Sequence, residues 1–410
     1  MLSSIVFFYV IFLVSLSLST RIKLNHRPSV GVIRWDAWNL VNGQYDSISF
    51  YLHRALSPEK FHYRIPFYAS VLSPTNISFN GDLQSVMDQE ILYAQHAGID
   101  YWAFDTYCQF GINCTTNNTY CTQYYKQTSN QYCPQNPTYG LNLYLSSVYK
   151  SLVNFTLILL GSSPCDITFQ QHYLDLMKYP QFQTVLGGRP LLYLFQFDDA
   201  EADICGGGWF GSGLVFQKFR QMAIRQGKLQ LFSYITTKLF SFLLFFFPKG
   251  LQNPYMVLMD FNVATVQSHA SMLGFDAIST YALPGGIIDG TPFVELLHSA
   301  QQWWQSAHDI GAKMVPIAPT GWDPRPRAEN PVPWVIEGPE HYIQPSIEEL
   351  QELIRSGINF TCNYNQTAEA QTIIIYAWNE CSETSGSLVP SMGNGTLYID
   401  ALSKILPMYC

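Results

Sequence analysis

Two glutamates near the C-terminus, Glu380 and Glu383, have the spacing and the position of a catalytic pair. They follow an apolar run, Thr372–Trp378, that has the composition of a buried β-strand. On a helix-like turn, residues three apart have Cβ atoms about 5–6 Å apart, and repulsion between carboxylates that close raises the pKa of one of them. The raised carboxyl donates a proton while its partner stays anionic, as cleavage of a glycosidic bond requires. A solvated loop that carries two acids is the alternative explanation.

Further polar and aromatic residues stand at or just after the ends of other apolar runs. If those runs are parallel strands, the residues converge on one rim with the glutamate pair. Asp198 and Asp199 follow the fourth run, while Arg325 and Arg327 either order an acidic loop or bind hydroxyls, with ordering the favoured role. The candidate substrate-binding residues are Trp35, Asp36, Asp105, Tyr107, Tyr281, Trp322, Asp323, Arg325, Trp378 and Asn379.

Eight short β-rich runs position these residues. The runs are Val30–Trp35, Ile99–Asp105, Phe155–Gly161, Pro190–Phe197, Tyr255–Phe261, Phe275–Tyr281, Lys313–Pro319 and Thr372–Trp378. Helical patterns lie between several of them, at Asp82–His96, Val294–Asp309 and Ser346–Ser356, and alternating strands and helices indicate right-handed parallel βα units. We therefore predict an α/β fold, a single-domain (β/α)8 TIM barrel with loop insertions. A doubly wound open sheet is the competing architecture.

A ninth strand candidate, Arg64–Val71, is assigned to the long first connection of the barrel. The segment Leu229–Gly250 interrupts an otherwise ordinary helix-to-strand connection, and we interpret it as an insertion or a retained intron. Its apolar run is too short and too interrupted to indicate a membrane span.

The composition restricts the class of partner. Hydrophobic residues make up 48% of the chain and charged residues 13%, with a net charge of −8, which argues against nucleic acid or an anionic membrane as partner. The aromatic content of 15% is high; most of it is explained by core packing, and the remainder suits stacking against sugar rings.

Several features predict export. Residues 1–19 have the apolar core and the small terminal residues of a signal peptide, although the absence of Lys or Arg before the apolar core leaves an uncleaved signal anchor as an alternative. Seven glycosylation sequons occur, at Asn76, Asn113, Asn117, Asn154, Asn359, Asn365 and Asn394. We therefore expect a secreted or lumenal glycoprotein without a stable membrane span after signal cleavage.

The nine cysteines fit the same oxidising compartment. Four of them lie in the segment 108–133, which we predict to be a disulfide-rich loop of undetermined connectivity. The other five are Cys165, Cys205, Cys362, Cys381 and Cys410, so one odd thiol either stays free or pairs between chains.

No metal or organic cofactor is predicted. The spacing of cysteines and histidines suggests no metal site. The glycines at 206–211 match the dinucleotide-binding pattern formally, but they lie well past the preceding strand and not in its tight turn.

Several segments resemble the glycoside hydrolase family 99-like group, which includes endo-α-mannosidases and the WbsX-like glycosyltransferase domain. The most specific segment is Tyr376-Ala-Trp-Asn-Glu-Cys-Ser-Glu383, supported by Pro319-Thr-Gly-Trp-Asp-Pro-Arg-Pro-Arg327. Weaker matches are Ala94–Asp105, Gly187–Tyr193 and Gly274–Tyr281. The family commonly has an aromatic residue where Cys381 stands and a glycine where Thr384 stands, and a disulfide at Cys381 would redirect the loop.

The resemblance implies a (β/α)8 barrel and separate roles for the two acids. Glu380 would assist the substrate's own 2-hydroxyl in its attack on the anomeric carbon, and Glu383 would act as general acid and then base. Tyr281 matches a family position near the active site, and Asn379 would orient Glu380. The outcome would be retention through an anhydro-sugar intermediate.

The resulting hypothesis is a secreted glycoside hydrolase that cleaves an α-linked glycan, mannose-containing if the resemblance extends to the substrate. A carbohydrate-binding protein without turnover is the first alternative. A WbsX-like glycosyltransferase is the second, although the sequence has no convincing nucleotide-sugar site.

Overall fold

The computed structural model describes residues 27–41, 43–106, 140–238 and 251–410. Its central element is a set of eight parallel strands, each of which coincides with one of the predicted apolar runs. We number these barrel strands in chain order: β1 Ser29–Arg34, β2 Tyr101–Thr106, β3 Asn154–Leu160, β4 Arg189–Phe195, β5 Tyr255–Met259, β6 Ala277–Ser279, β7 Ile317–Pro319 and β8 Thr372–Tyr376.

The strands form a nearly closed barrel. From β1 to β6 each strand pairs with the next in sequence, and β8 pairs with both β1 and β7. The gap between β6 and β7 is bridged at Ile278, whose amide donates to the carbonyl of Lys313 (2.9 Å) and whose carbonyl accepts from the amide of Val315 (3.0 Å). The predicted (β/α)8 TIM barrel is confirmed, and the doubly wound open sheet was the wrong alternative.

Alternating side chains along each strand divide the core into two layers. On β8, Ile374 and Tyr376 belong to the cluster that fills the barrel, whereas Ile373 and Ile375 pack outward against the helices. At the bottom of the interior, the hydroxyl of Tyr101 lies 2.9 Å from that of Tyr193. Its ring occupies the space over Gly31, where an added Cβ would come within 2.1 Å of the ring. The inward position of Tyr376 matters below because its hydroxyl reaches the site.

Helices cover the outside of the barrel and connect its strands. Their bounds are α1 Ser47–Leu56, α2 Gln84–Ala97, α3 Gly140–Ser146, α4 Ile167–Leu176, α5 Asp199–Gly206, α6 Trp209–Lys238, α7 Val263–Leu273, α8 Phe293–Asp309, α9 Arg325–Glu329, α10 Ile347–Asn363 and α11 Leu397–Ile405.

The three predicted helices are confirmed as α2, α8 and α10, with ends shifted by local capping. Ser346 and Glu349 form a capping box that starts α10, and α10 continues to Asn363, beyond the predicted end at Ser356. Helix α2 ends at Gly98, whose φ of 83° is left-handed and therefore suits glycine.

The ninth strand candidate lies in the first connection, as expected, but it is not a single strand. A 3-10 helix at Glu59–Arg64 precedes an antiparallel hairpin of Ala69–Ser73 with Asn76–Phe79. Helix α6 runs without a break from Trp209 to Lys238 and so enters the predicted insertion 229–250. The rest of that insertion, the predicted signal peptide 1–19 and the loop 108–133 lie outside the described residues.

Two disulfides among the described residues link segments on the outside of the barrel. Cys165 pairs with Cys205, which ties the loop after β3 to α5, and Cys362 pairs with Cys410, which ties α10 to the C-terminus. Cys381 is the odd thiol of the five and is fully buried. Burial raises its pKa to about 12, so the thiol stays protonated and unreactive. Because Cys381 forms no disulfide within the described part of the chain, the loop that carries the glutamate pair is not redirected by one.

Candidate active site

The glutamate pair lies on a tight turn at the C-terminal end of β8. The amides of Glu383 and Thr384 both donate to the carbonyl of Glu380 at 2.9 Å, which is a helix-like turn. This turn directs the two side chains to the same side, where Glu380 is 3% and Glu383 is 9% exposed. The spacing argument for a close carboxyl pair thus has its structural basis in these two backbone hydrogen bonds.

Arg327 joins the two carboxyls. Its Nη1 donates to Oε1 of Glu383 at 2.7 Å, and its Nη2 donates to Oε2 of Glu380 at 3.1 Å. Its Nε donates to Ser382 Oγ at 2.9 Å, so three side chains of the turn accept hydrogen bonds from the guanidinium. Burial opposes its charge, but the charges of the glutamates outweigh burial and keep the pKa of Arg327 above its ordinary value. Arg327 is therefore a permanent cation between the two acids.

Tyrosine hydroxyls hold the other carboxyl oxygens. Tyr281 lies with its hydroxyl 2.9 Å from Oε1 of Glu380 and 2.7 Å from Oδ2 of Asp105. Tyr376, which points inward from β8, donates a short hydrogen bond to Oε2 of Glu383. Each glutamate thus has one oxygen on Arg327 and one on a tyrosine, and a carboxylate oxygen retains a lone pair for a further donor.

Burial raises the pKa of several acids in this cluster. Burial and then the charge of Glu383 raise the pKa of Glu380 well above its usual range, and Arg327 opposes them. Burial raises the pKa of Asp105 to about 8, with Asp36 and Glu383 acting in the same direction. Burial, followed by the charge of Glu383, raises the pKa of Glu337 to about 9. Asp105 and Glu337 are therefore protonated carboxyl groups at neutral pH.

A cavity of about 1010 Å³ opens above the glutamates. Aromatic residues line much of it, and acidic residues stand at its floor and its far side. They include Trp35, Phe195, Phe197, Trp209, Phe261, Tyr281, Trp322, Trp334, Asp198, Asp199, Asp260, Glu337, Glu340, Glu380 and Glu383. Flat apolar surfaces beside hydrogen-bonding acids suit the two kinds of surface that a sugar ring presents, namely its C–H face and its hydroxyl edge.

Five of the predicted site residues line this cavity: Trp35, Tyr281, Trp322, Glu380 and Glu383. Trp35 carries a buried Nε1 without a hydrogen-bond partner among the described residues, and its ring lies 5.1 Å from the guanidinium carbon of Arg327. Tyr281 stacks on Phe195 with ring centroids 4.4 Å apart.

Other predicted site residues are engaged in internal contacts and do not line the cavity. Asp36 is buried in an ion pair with Arg34. Trp378 is fully buried and donates from Nε1 to Glu90 at 2.9 Å. Asn379 anchors the backbone of Trp35, accepting from its amide at 2.9 Å and donating to its carbonyl at 2.6 Å, and so positions Trp35 and not Glu380.

Asp323 and Arg325 form a separate ion-pair group beside the site. Asp323 is 1% exposed and is paired with both Arg64 and Arg325. Burial alone would raise its pKa, but the hydrogen bond from Arg325 and the charge of Arg64 lower it. Its amide donates to the carbonyl of Glu383 at 2.7 Å, so it braces the glutamate turn. Asp105 lies beneath Tyr281, and Tyr107 lies outside the described residues.

Sequence reasoning missed Tyr376, Trp334 and Glu337 as site residues, and it named Arg327 only as a residue that orders an acidic loop or binds hydroxyls. Arg327 was considered with Arg325, and its two-residue offset places it on the opposite face of a short turn, toward the acids. Tyr376 had a readable signal, because the even-numbered residues of β8 face the interior. Trp334 and Glu337 lie on a loop between α9 and α10 with no periodic signal.

No cluster suited to a metal ion occurs among the described residues. In the same part of the chain, no helix is both long and apolar enough to cross a bilayer.

The fold is similar to that of solved glycoside hydrolases. A structure of the GH99 endo-alpha-mannosidase from Bacteroides thetaiotaomicron in complex with BIS-TRIS-Propane aligns with a TM-score of 0.53 at 13% sequence identity, covering 92% of this chain and 96% of that one. A second structure of the endo-alpha-mannosidase from the same organism aligns with a TM-score of 0.52 at 12% identity over the same shares. No protein-family model and no curated protein sequence matches the chain.

Proposed function

We propose that the chain is a retaining glycoside hydrolase that cleaves an α-linked, mannose-containing glycan. The observation that carries the proposal is the pair Glu380 and Glu383, bridged by Arg327 at the floor of an aromatic cavity at the C-terminal end of a TM barrel. Active sites of this fold gather at that end. The structural likeness to a GH99 endo-alpha-mannosidase supports the substrate class.

In the first step, Glu380 takes the proton of the substrate's 2-hydroxyl and O2 attacks the anomeric carbon. The glycosidic bond breaks, and the leaving oxygen takes a proton from Glu383. In the second step, Glu383 takes a proton from water, the water oxygen attacks the anomeric carbon, and the bond from that carbon to O2 breaks. O2 recovers its proton from Glu380. Two inversions at one carbon give retention.

Surrounding residues support these roles. Arg327 contacts both acids and compensates the negative charge that remains when one of them has lost its proton. Tyr281 and Tyr376 fix the orientation of the two carboxyl groups, both of which line the cavity. Such preorganised donors supply much of the transition-state stabilisation in enzymes.

The test is release of reducing sugar from α-mannan fragments by the purified protein, with the anomer of the first product identified by NMR. Glu380→Gln and Glu383→Gln should each lower kcat at least a hundredfold. Glu348→Gln, an acid-to-amide change on the exposed side of α10, is the matched control. Equal activity of the two site variants and the wild type would refute the assignment.

A carbohydrate-binding protein without turnover is the second candidate. It is favoured by the ion pairs of Arg327, which occupy one oxygen of each glutamate before any substrate binds. Glycan binding on an array together with no product from any bound glycan would support it.

We further propose export through the predicted signal peptide 1–19. The two disulfides suit an oxidising compartment, and the sequon residues Asn76, Asn359 and Asn365 are exposed. Secretion of the full-length chain, with a mobility shift on enzymatic removal of N-glycans, would support this. Retention of the unglycosylated chain in the cytosol would contradict it.

A further inference from the structure

A chain of three side chains runs from the floor of the site to the proposed base. The hydroxyl of Tyr281 lies 2.7 Å from Oδ2 of Asp105 and 2.9 Å from Oε1 of Glu380. A phenol has one hydrogen to donate. Since two anionic oxygens cannot share one donor hydrogen without strong repulsion, one of the two carboxyls carries a proton of its own and donates it to the tyrosine oxygen.

The surroundings of the two carboxyls differ in a way that decides where this proton lies. Glu380 receives a charged hydrogen bond from Arg327 at 3.1 Å on its other oxygen, which favours the anion. Asp105 is 1% exposed, and its Oδ1 is buried without a hydrogen-bond partner among the described residues. An anion with an unsatisfied buried oxygen is far more costly than a neutral acid with an unpaired carbonyl.

Burial and the charge of Glu383 raise the pKa of Glu380, and Arg327, which donates to its other oxygen, opposes them. Several charged and titratable groups face the chain. They are Asp36 after β1, Tyr281 after β6, Arg327 on α9, and Glu380 and Glu383 after β8. Arg327 lies against the glutamates and forms no ion pair with Asp105. The pKa of Asp105, raised to about 8 by burial, keeps this acid neutral at physiological pH.

We propose that Asp105 is a positioning residue that holds the proton of this chain, so that Tyr281 donates to Glu380 and Glu380 stays anionic as the base. This proposal rests on the proposed function for the role of Glu380. It assigns Asp105 a task other than the substrate binding expected from the sequence.

The protonated Asp105 also has a consequence for turnover. When Glu380 takes the proton of the 2-hydroxyl, that proton cannot pass through Tyr281 to Asp105, because Asp105 is already protonated. The proton therefore stays on Glu380 until the second step returns it to O2. An ionised Asp105 would instead draw the proton away and leave O2 without its donor.

Substitutions of Asp105 distinguish a protonated Asp105 from an anionic one. In Asp105→Asn the amide N–H donates to the tyrosine oxygen as the protonated acid does, so kcat should fall by no more than about threefold. Asp105→Ala removes that donor and should lower kcat by about thirtyfold. An equal loss of kcat in the Asn and Ala variants would overturn the proposal. That result is expected if Asp105 is an anion, because neither side chain mimics a carboxylate.

Infrared difference spectroscopy tests the proton without relying on activity. At pH 7, Asp105→Asn should lose a carbonyl band of a protonated carboxylic acid relative to the wild type, and the carboxylate bands should be unchanged. Loss of a carboxylate band instead would overturn the proposal. Because this readout needs no substrate, it remains decisive if no hydrolase activity is found and the proposed function fails.

Tyr281→Phe provides a second variant in case Asp105→Asn does not fold. The acid band should persist and move to higher frequency, because the hydroxyl of Asp105 loses its acceptor. An unchanged or absent band would contradict a protonated Asp105 hydrogen-bonded to Tyr281.

Discussion

Replacing Arg327 by Gln removes the guanidinium that contacts both glutamates of the site. Arg327 is 4% exposed and donates to Glu380, Glu383 and Ser382. Its Nη1 also lies 3.7 Å from Oε1 of Glu337. Without it, the buried glutamates face one another with hydrogen bonds from tyrosines alone, and no arginine or lysine among the described residues forms another ion pair with them.

Removing one partner of a buried ion pair costs about 3–5 kcal/mol of unfolding free energy, because a buried charge is left uncompensated. The orphaned glutamates escape part of this cost by binding protons. The folded-state pKa of Glu380, which burial already raises, then rises further above the unfolded value, so the associated stability is present at low pH and is lost as pH rises. Each additional retained proton changes the unfolding free energy by about 1.4 kcal/mol per pH unit. The loss in Arg327→Gln should therefore be smaller at pH 5 than at pH 8.

Urea unfolding at pH 5 and pH 8 measures this difference. The matched control is Arg325→Gln, two residues away, whose side chain is 36% exposed and pairs with Asp323. Asp323 keeps its buried pair with Arg64, so the control should lose less than about 1 kcal/mol at either pH. Equal losses in the two variants, or a loss in Arg327→Gln that does not depend on pH, would refute the assigned role of Arg327.

Three further predictions follow from other parts of the molecule. Glu337→Gln should become more stable relative to the wild type as pH rises from 5 to 9, as measured by thermal melts. The pKa of Glu337 in the folded protein is about 9, above its unfolded value, so the wild-type protein loses stability over that range and the Gln variant does not. A difference in stability that does not change with pH would contradict this. Replacing both Cys362 and Cys410 by Ser should cost about 2–4 kcal/mol, measured by urea unfolding, because the bridge closes a segment with a sequence separation of 48. An unchanged midpoint would argue against the bridge. Trp334→Ala should raise KM for an oligosaccharide more than it lowers kcat, because this half-exposed ring lines the cavity, packs edge-on against Trp35 and carries no group that transfers a proton. An equal fall in kcat and kcat/KM would place the ring at the transition state instead.

The barrel was predictable because each of its strands can be recognised from a short stretch of sequence. A strand buried on both faces is a continuous apolar run, and each of the eight runs became a strand although the register and the ends moved by a few residues. The capping box at Ser346 is equally local, since both of its hydrogen bonds lie within four residues. The hairpin after Arg64 has a turn signal at Pro74, but the predicted strand Arg64–Val71 ended before that turn and covered only the start of the first hairpin strand, Ala69–Ser73.

The glutamate pair was also readable from the sequence, because a turn sets its spacing within one segment. The residues that contact the pair could not be read from the sequence. Arg327 and Arg325 have the same side chain two positions apart, and the orientation of a short helix after β7 sends one to the acids and the other to Asp323. Asp105 and Tyr281 are 176 residues apart, and their hydrogen bond depends on barrel closure.

The sequence by itself determined the element order, the spacing of the two acids and the presence of an odd cysteine, because periodicity, spacing and counting operate within the chain. Tertiary structure decided which charges meet and which protons they keep. Burial and ion pairing depend on neighbours that are distant in sequence, and these two effects set the pKa of a carboxyl. Asp105 on β2 would be an ordinary anion in water, and in this barrel its burial beneath Tyr281 raises its pKa to about 8.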